Sequence, residues 1–174
     1  MMKAMSSGTL PTYSRCDCVP LEDLVTLLQA RGWVLGTAES CSGGLIAHRL
    51  TNLSGVSAVY AGGVVSYSNA LKMRLLGVPE ATLEAHGAVS PETARAMVLG
   101  AQERLSVDWA VAVTGIAGPT GGTPEKPVGL VYMAVAGPGA RCAVRRYQFH
   151  GDRESIKTQT ADAALTFLWE TMTT

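Results

Sequence analysis

The sequence predicts a three-layer α/β/α sandwich built on a central mixed β-sheet. Segments of helical and strand period follow one another in the order α-β-α-β-α-α-β-β-β-α. Several strand segments are near-continuous apolar runs, such as Trp109-Ala110-Val111-Ala112-Val113, as expected of strands covered by other layers. The composition agrees: of 174 residues 47% are hydrophobic and 19 are glycine, which suits a small α/β domain.

Each element has its own signal. Residues 1–20 lack periodicity and read as a flexible leader, with one domain over 21–174. Leu21, Leu24, Val25 and Leu28 fall at i, i+3, i+4 and i+7, an amphipathic helix that Gly32 is placed to end. Trp33–Thr37 reads as a strand, followed by a polar turn and a helix to about Leu53. The β-branched run 57–69 predicts a buried strand, and Gly62-Gly63 within it predicts a bulge or a close backbone approach. Asn69 is placed to cap a helix over Ala70–Leu76. A short helix is expected at Glu80–Ala85. Ser90-Pro91-Glu92 then combines a capping hydroxyl, a first-turn proline and a first-turn acid, opening a helix to about Arg104. After the strand Trp109–Thr114 comes a long Gly/Pro-rich loop to Pro127, a length that points to function. Val128–Ala136 and Cys142–Phe149 form a hairpin about Pro138-Gly139. A last helix opens at Gly151-Asp152-Arg153.

Basic and acidic residues number 14 each, so nothing suggests nucleic acid as a partner. No apolar run approaches the ~20 residues of a membrane span, and no signal peptide is evident, so a cytoplasmic protein is expected. The four cysteines are expected to be reduced there. Cys16-Asp17-Cys18 lacks the spacing and second ligand pair of a zinc site, and no metal is expected.

The chemistry concentrates in Thr37-Ala38-Glu39-Ser40-Cys41-Ser42-Gly43-Gly44, where a strand turns into a helix. Unpaired amides at a helix start carry partial positive charge and can hold an anion or a developing oxyanion. The plain alternative is that Ser40 or Ser42 merely caps the helix. A serine nucleophile needs a base. His48 lies about two helical turns from Ser40, and no motif supports His86. Lys72 is the other choice, because a desolvated amine loses its proton more readily. It follows Tyr67-Ser68-Asn69 at the end of a strand, where open α/β sheets bind ligands. Its plain alternative is a solvated helix lysine. Thr114-Gly115-Ile116-Ala117-Gly118 also follows a strand, and its backbone could approach a phosphate. Arg153 could clamp one, or could pair with Asp152 or Glu154. Cys41 is a rival nucleophile beside Ser40.

Six ordered motifs then resemble one family: Ala-Glu-Ser-Cys-Ser-Gly-Gly at 38–44, Tyr-Ser-Asn-Ala-Leu-Lys at 67–72, His-Gly-Ala-Val-Ser at 86–90, Thr-Gly-Ile-Ala-Gly-Pro at 114–119, Pro-Glu-Lys-Pro-Val-Gly at 124–129 and Gly-Asp-Arg at 151–153. Together they are similar to the CinA C-terminal domain, over about Leu21 to Trp169. The stand-alone form of that family is a nicotinamide-nucleotide amidohydrolase, which deamidates nicotinamide mononucleotide (NMN) to nicotinate mononucleotide and ammonia in pyridine nucleotide salvage. The resemblance implies a serine–lysine amidase without cofactor. Ser40 is the implied nucleophile, Lys72 its base, directly or through Tyr67, and Tyr67 a supporting hydroxyl. Amides at the start of the 43–53 helix would hold the oxyanion. Glu39, Cys41, Ser42, Gly43, Gly44, Asn69, Thr114, Gly115, Ile116, Ala117, Gly118 and Arg153 are the implied substrate-binding set. Two positions depart from the family pattern: Ser42 stands for the usual Thr, and Ala70 for a common Glu. NMN is the expected partner, in a homo-oligomer, a dimer or trimer. The competing expectation is a non-catalytic nucleotide-binding module of the competence/damage-inducible type.

Overall fold

The structure, a computed structural model, describes residues 19–174. Most of the expected leader, and the Cys16–Cys18 pair, lie outside the described residues. The elements are α1 (Leu21–Arg31), β1 (Leu35–Glu39), α2 (Leu45–Thr51), a 3-10 turn (Val56–Ala58), β2 (Tyr60–Val65), α3 (Asn69–Leu76), α4 (Glu80–His86), α5 (Pro91–Arg104), β3 (Trp109–Gly115), β4 (Leu130–Gly137), β5 (Arg141–Gln148) and α6 (Arg153–Thr173). The order of helices and strands is the expected one except that three helices, not two, lie between β2 and β3, because the short segment at Glu80 forms a full helix, α4. The five strands form one sheet in the order β2-β1-β3-β4-β5. β1 runs parallel to β2 and β3, while β3–β4 and β4–β5 are antiparallel.

Alternation along the strands divides the core between the two faces. Leu35, Val111, Val113, Val131, Met133 and Val135 meet α1, α2 and α6 on one side. Ala38, Ala110, Ala112, Ala134 and Ala136 meet α5 with Leu76, Leu83, Met97 and Val98 on the other. The alanine face lets α5 lie close against the sheet. At Gly100 of α5 a Cβ would overlap the Leu76 carbonyl, so α3 and α5 touch backbone to backbone.

Some element boundaries differ from expectation for identifiable reasons. β1 starts at Leu35, not Trp33, because Trp33 N–H closes the α1 cap on Leu28 O and Val34 N–H donates to the Asp108 carboxylate at 2.8 Å. It also runs two residues beyond Thr37, which carries Glu39 to the strand's end. α2 stops at Thr51, short of Leu53. β2 is shorter than the apolar run and is an edge strand, exposed on alternate residues and not buried. Its register slips between Leu35 and Gly36, a bulge as expected of Gly62-Gly63, and a Cβ at Gly63 would overlap the Thr37 hydroxyl. α3 is capped by Ser68, whose Oγ accepts from Leu71 N–H at 3.2 Å, and Asn69 is the first helical residue. The hairpin strands each shift by one or two residues about Pro138-Gly139. No described helix is long and apolar enough to cross a membrane.

Candidate active site

Three parallel strands, β2, β1 and β3, end side by side, and the residues after them converge. Ser40 follows β1, and its N–H extends the ladder to Val113 O at 3.2 Å. Ser66 follows β2 and donates its N–H to Glu39 O at 2.9 Å. Lys72 arrives from α3, where it shares the buried face with Leu76, one turn on. Its Nζ donates to Ser40 Oγ at 2.9 Å and to Ser66 O at 2.8 Å. Lys72 is 1% exposed and Ser40 7%. Burial pushes the Lys72 amine below the ordinary lysine range, opposed only in part by the neighbouring Cys41 thiol. No carboxylate contributes. Burial thus shifts this amine, held against a serine hydroxyl, toward the uncharged form, the state in which a lysine accepts a proton.

The turn after Ser40 is organised from below. Glu39, 1% exposed, accepts from Ser42 Oγ at 2.6 Å, Gly44 N–H at 3.1 Å, Ile46 N–H at 3.1 Å and Ala47 N–H at 2.8 Å. A buried carboxylate thus caps α2, where the dipole welcomes negative charge. Of that helix start, expected to hold the oxyanion, the Gly44, Ile46 and Ala47 amides are committed to Glu39 and the Leu45 amide to Ser42 O. Gly43 N–H closes the turn on Ser40 O at 3.1 Å. The amides of Cys41 and Ser42 are not among those that Glu39 accepts. The Cys41 thiol itself is pushed up to about 12, first by burial and further by Glu39. It stays protonated at neutral pH, which weakens it as a nucleophile.

A cleft of about 200 Å³ opens over this pair, lined by Ser40, Cys41, Tyr67, Lys72, Ala88, Val89, Thr114, Gly115 and Ala117. The strand-end residues of β3 are thus present as expected, with the Thr114 hydroxyl donating to Ala88 O at 2.7 Å. Ser90 and Thr93 hydroxyls both donate to Gly87 O, at 3.1 and 2.7 Å, fixing the turn that presents Ala88 and Val89. Tyr67 stands at the mouth, 60% exposed, and its hydroxyl accepts from Arg153 Nη2 at 2.8 Å. Arg153 Nη1 donates to Gly118 O at 2.6 Å, so it joins α6 to the long loop instead of pairing with Asp152 or Glu154. Lys126 Nζ donates to His86 O at 2.7 Å and holds the loop's far end.

Not every expected residue lines the cleft. Glu39, Ser42, Gly43 and Gly44 build the turn beneath it. Asn69 is exposed on α3, and Ile116 N–H is spent on Leu130 O at 2.9 Å. His86 closes α4 and does not lie in a loop; its ring faces Glu92 at 3.7 Å, and it is not among the residues lining the Ser40 cleft. The residue-by-residue reading missed Ser66, Ala88 and Val89. Ala88 and Val89 lie in the 86–90 motif, and Ser66 lies at a strand's carboxyl end, so both signals were available.

A buried lysine thus donates to a serine hydroxyl at the carboxyl edge of an α/β sheet. The chain belongs to the CinA C-terminal domain family, whose model matches residues 20–172. It is 56% identical over 142 residues to a CinA-like protein of Geotalea daltonii, covering 82% of this chain and 34% of that protein. A CinA-like protein of Anaeromyxobacter dehalogenans is 52% identical over 149 residues, with 85% and 36% covered. The chain thus spans about a third of the length of these curated relatives. Among solved structures, the competence/damage inducible protein CihA from Agrobacterium tumefaciens superposes with a TM-score of 0.85 at 42% identity, covering 87% of this chain and 92% of that one. The competence damage-inducible protein A from Klebsiella pneumoniae gives 0.84 at 37%, with 87% and 94% covered.

Proposed function

We propose that the protein is an amidohydrolase that releases ammonia from the carboxamide of NMN by a serine–lysine mechanism. The observation that carries this reading is the 2.9 Å contact between a desolvated Lys72 amine and Ser40 Oγ. The neutral amine keeps one N–H on Ser66 O and accepts the Ser40 proton directly. The contact is short enough that Tyr67 is not needed as a relay, and its role is to line the mouth. Ser40 Oγ attacks the carboxamide carbon, and the amides of Cys41 and Ser42 are the turn donors left for the oxyanion. The Lys72 ammonium returns its proton to the leaving nitrogen, which departs as ammonia. Water, deprotonated by Lys72, then cleaves the Ser40 ester to the free acid.

Ammonia release from NMN, with the product identified by mass, tests the reading. Turnover that disappears in Ser40→Ala supports it. Tight nucleotide binding without ammonia would favour the non-catalytic module instead. Preference for another amide would keep the chemistry and change the substrate. We further propose a homo-oligomer in the cytoplasm. Both sheet edges, β2 and β5, have one side unpaired among the described residues, and light scattering measures the assembly.

A further inference from the structure

The Ser40 cleft, at about 200 Å³, is smaller than the ~300 Å³ at which ligand pockets usually begin. It suits a carboxamide end, so the remainder of a nucleotide must extend beyond it. A second hollow of about 430 Å³ opens alongside, lined by Leu45, Arg153, Glu154, Lys157 and Thr158. Arg153 connects the two, because its Nη2 holds Tyr67, which lines the Ser40 cleft. Lys157 stands one helical turn beyond Arg153 on the same face of α6. Its Nζ lies 3.6 Å from where a Cβ on Gly43 would be, so the amine leans toward the turn that carries Ser40.

The two cations of this hollow have no ion-pair partner among the described residues. Arg153 spends its two hydrogen bonds on neutral acceptors, Gly118 O and the Tyr67 hydroxyl. Lys157 has no hydrogen bond or ion pair among the described residues, although it is partly buried. Glu154 is the one acid on the lining and pairs with neither cation. The described ion pairs engage other residues: Arg49 with Asp162, His86 with Glu92 and Arg145 with Glu170. Two cations and a threonine hydroxyl facing one open space suit a dianion with several acceptor oxygens.

We propose that this hollow receives the substrate's phosphate, and that Lys157 is the residue that makes the enzyme favour a phosphorylated nucleoside over the free one. The inference rests on the nucleotide amidase reading and adds a residue to it. The amide sits over Ser40, the ribose passes Tyr67, and the phosphate lies between Arg153 and Lys157. Lys157 acts on binding and has no part in the acyl transfer.

The experiment compares NMN with nicotinamide riboside in the wild type, Lys157→Ala and Lys157→Arg, by kinetics and by calorimetric binding. A lost charge-assisted contact corresponds to about a tenfold change or more in affinity. Lys157→Ala is expected to lower the NMN-to-riboside ratio of kcat/KM by about that factor, through KM, and Lys157→Arg to restore most of it. Inorganic phosphate is expected to compete with NMN in the wild type and to compete less well in Lys157→Ala. An unchanged ratio with undiminished competition by phosphate would overturn the inference while leaving the amidase reading intact. If the wild type releases no ammonia from either compound, the amidase reading fails. Calorimetry then still decides on Lys157: equal affinity of NMN for the wild type and Lys157→Ala would overturn its role.

Discussion

Two adjacent residues of the turn, Ser40 and Cys41, are both nucleophiles by type, and their surroundings separate them. Ser40 touches the amine that can take its proton, whereas the Cys41 thiol is buried and held protonated. Cys41→Ala is expected to keep turnover within about threefold and Ser40→Ala to lose at least ~10³-fold, as the loss of a nucleophile does. A steady-state ammonia assay measures both. Lys72→Met removes the base at similar volume, and the expected loss of rate is ~10²- to 10⁴-fold. The same change alters stability in a direction that the shift dictates. A lysine whose folded pKa is depressed binds fewer protons than the unfolded chain between that value and ~10.4, so stability rises with pH across this window. Below it the cost of charging the buried amine is fully present. Thermal melts from pH 7 to 10 are therefore expected to show the wild type gaining on Lys72→Met as pH rises. The residue pair itself was legible in sequence as hydroxyl and amine at two strand ends. The partner that Lys72 finds in Ser66 O was not, because a backbone carbonyl has no side-chain signature. Ala70, expected to mark a missing carboxylate, is exposed on α3, and residues two apart on a helix do not face one another. Ala70→Glu should leave the pH–rate profile unchanged and add at most ~0.5 kcal/mol through the helix start.

Glu39 shows how an element can be misread when its chemistry is right. The carboxylate beside Ser40 was expected at the substrate, but it stabilises α2 by satisfying three amides and the Ser42 hydroxyl. A sequence shows a Glu before a glycine-rich turn. It does not show that the turn folds back so that the side chain reaches amides five, seven and eight residues on. Glu39→Gln keeps the shape, yet its NH₂ cannot accept from these donors, and the expected cost is about 1–3 kcal/mol in a denaturant melt. The β2 edge was missed as an edge for a related reason: an apolar run reads as buried, whereas strand order is set by pairing that no local pattern encodes. α5 was legible end to end because Ser90, Pro91 and Glu92 fix its start and the helical period carries it onward. Its contact with α3 through Gly100 was not foreseen. Gly100→Ala is expected to separate the two helices at a cost of about 1–3 kcal/mol, lowering Tm by roughly 2–4 °C for each kcal/mol. The part of α3 that carries Lys72 would shift with it, so activity should fall in step with stability.

At the scale of the whole molecule, three parallel strands deliver Ser40, Ser66 and Thr114 to one edge of the sheet, and the crossovers between them leave that edge open. α3 brings the amine from one face of the sheet, and α6 brings Arg153 and Lys157 toward the same edge. The layered class, the order of elements and the motif-bearing loops could all be read from periodicity and turn chemistry. Which loops meet could not, because that follows from strand order. The central claim is that Ser40, with its proton taken by Lys72, forms a covalent ester with the acyl group of NMN. Acid quenching of the protein during incubation with NMN, followed by peptide mapping, addresses it most directly. The account predicts a nicotinate mononucleotide ester on the peptide carrying Ser40 and no adduct in Ser40→Ala. An adduct carried by Cys41, or undiminished turnover in Ser40→Ala, would contradict it.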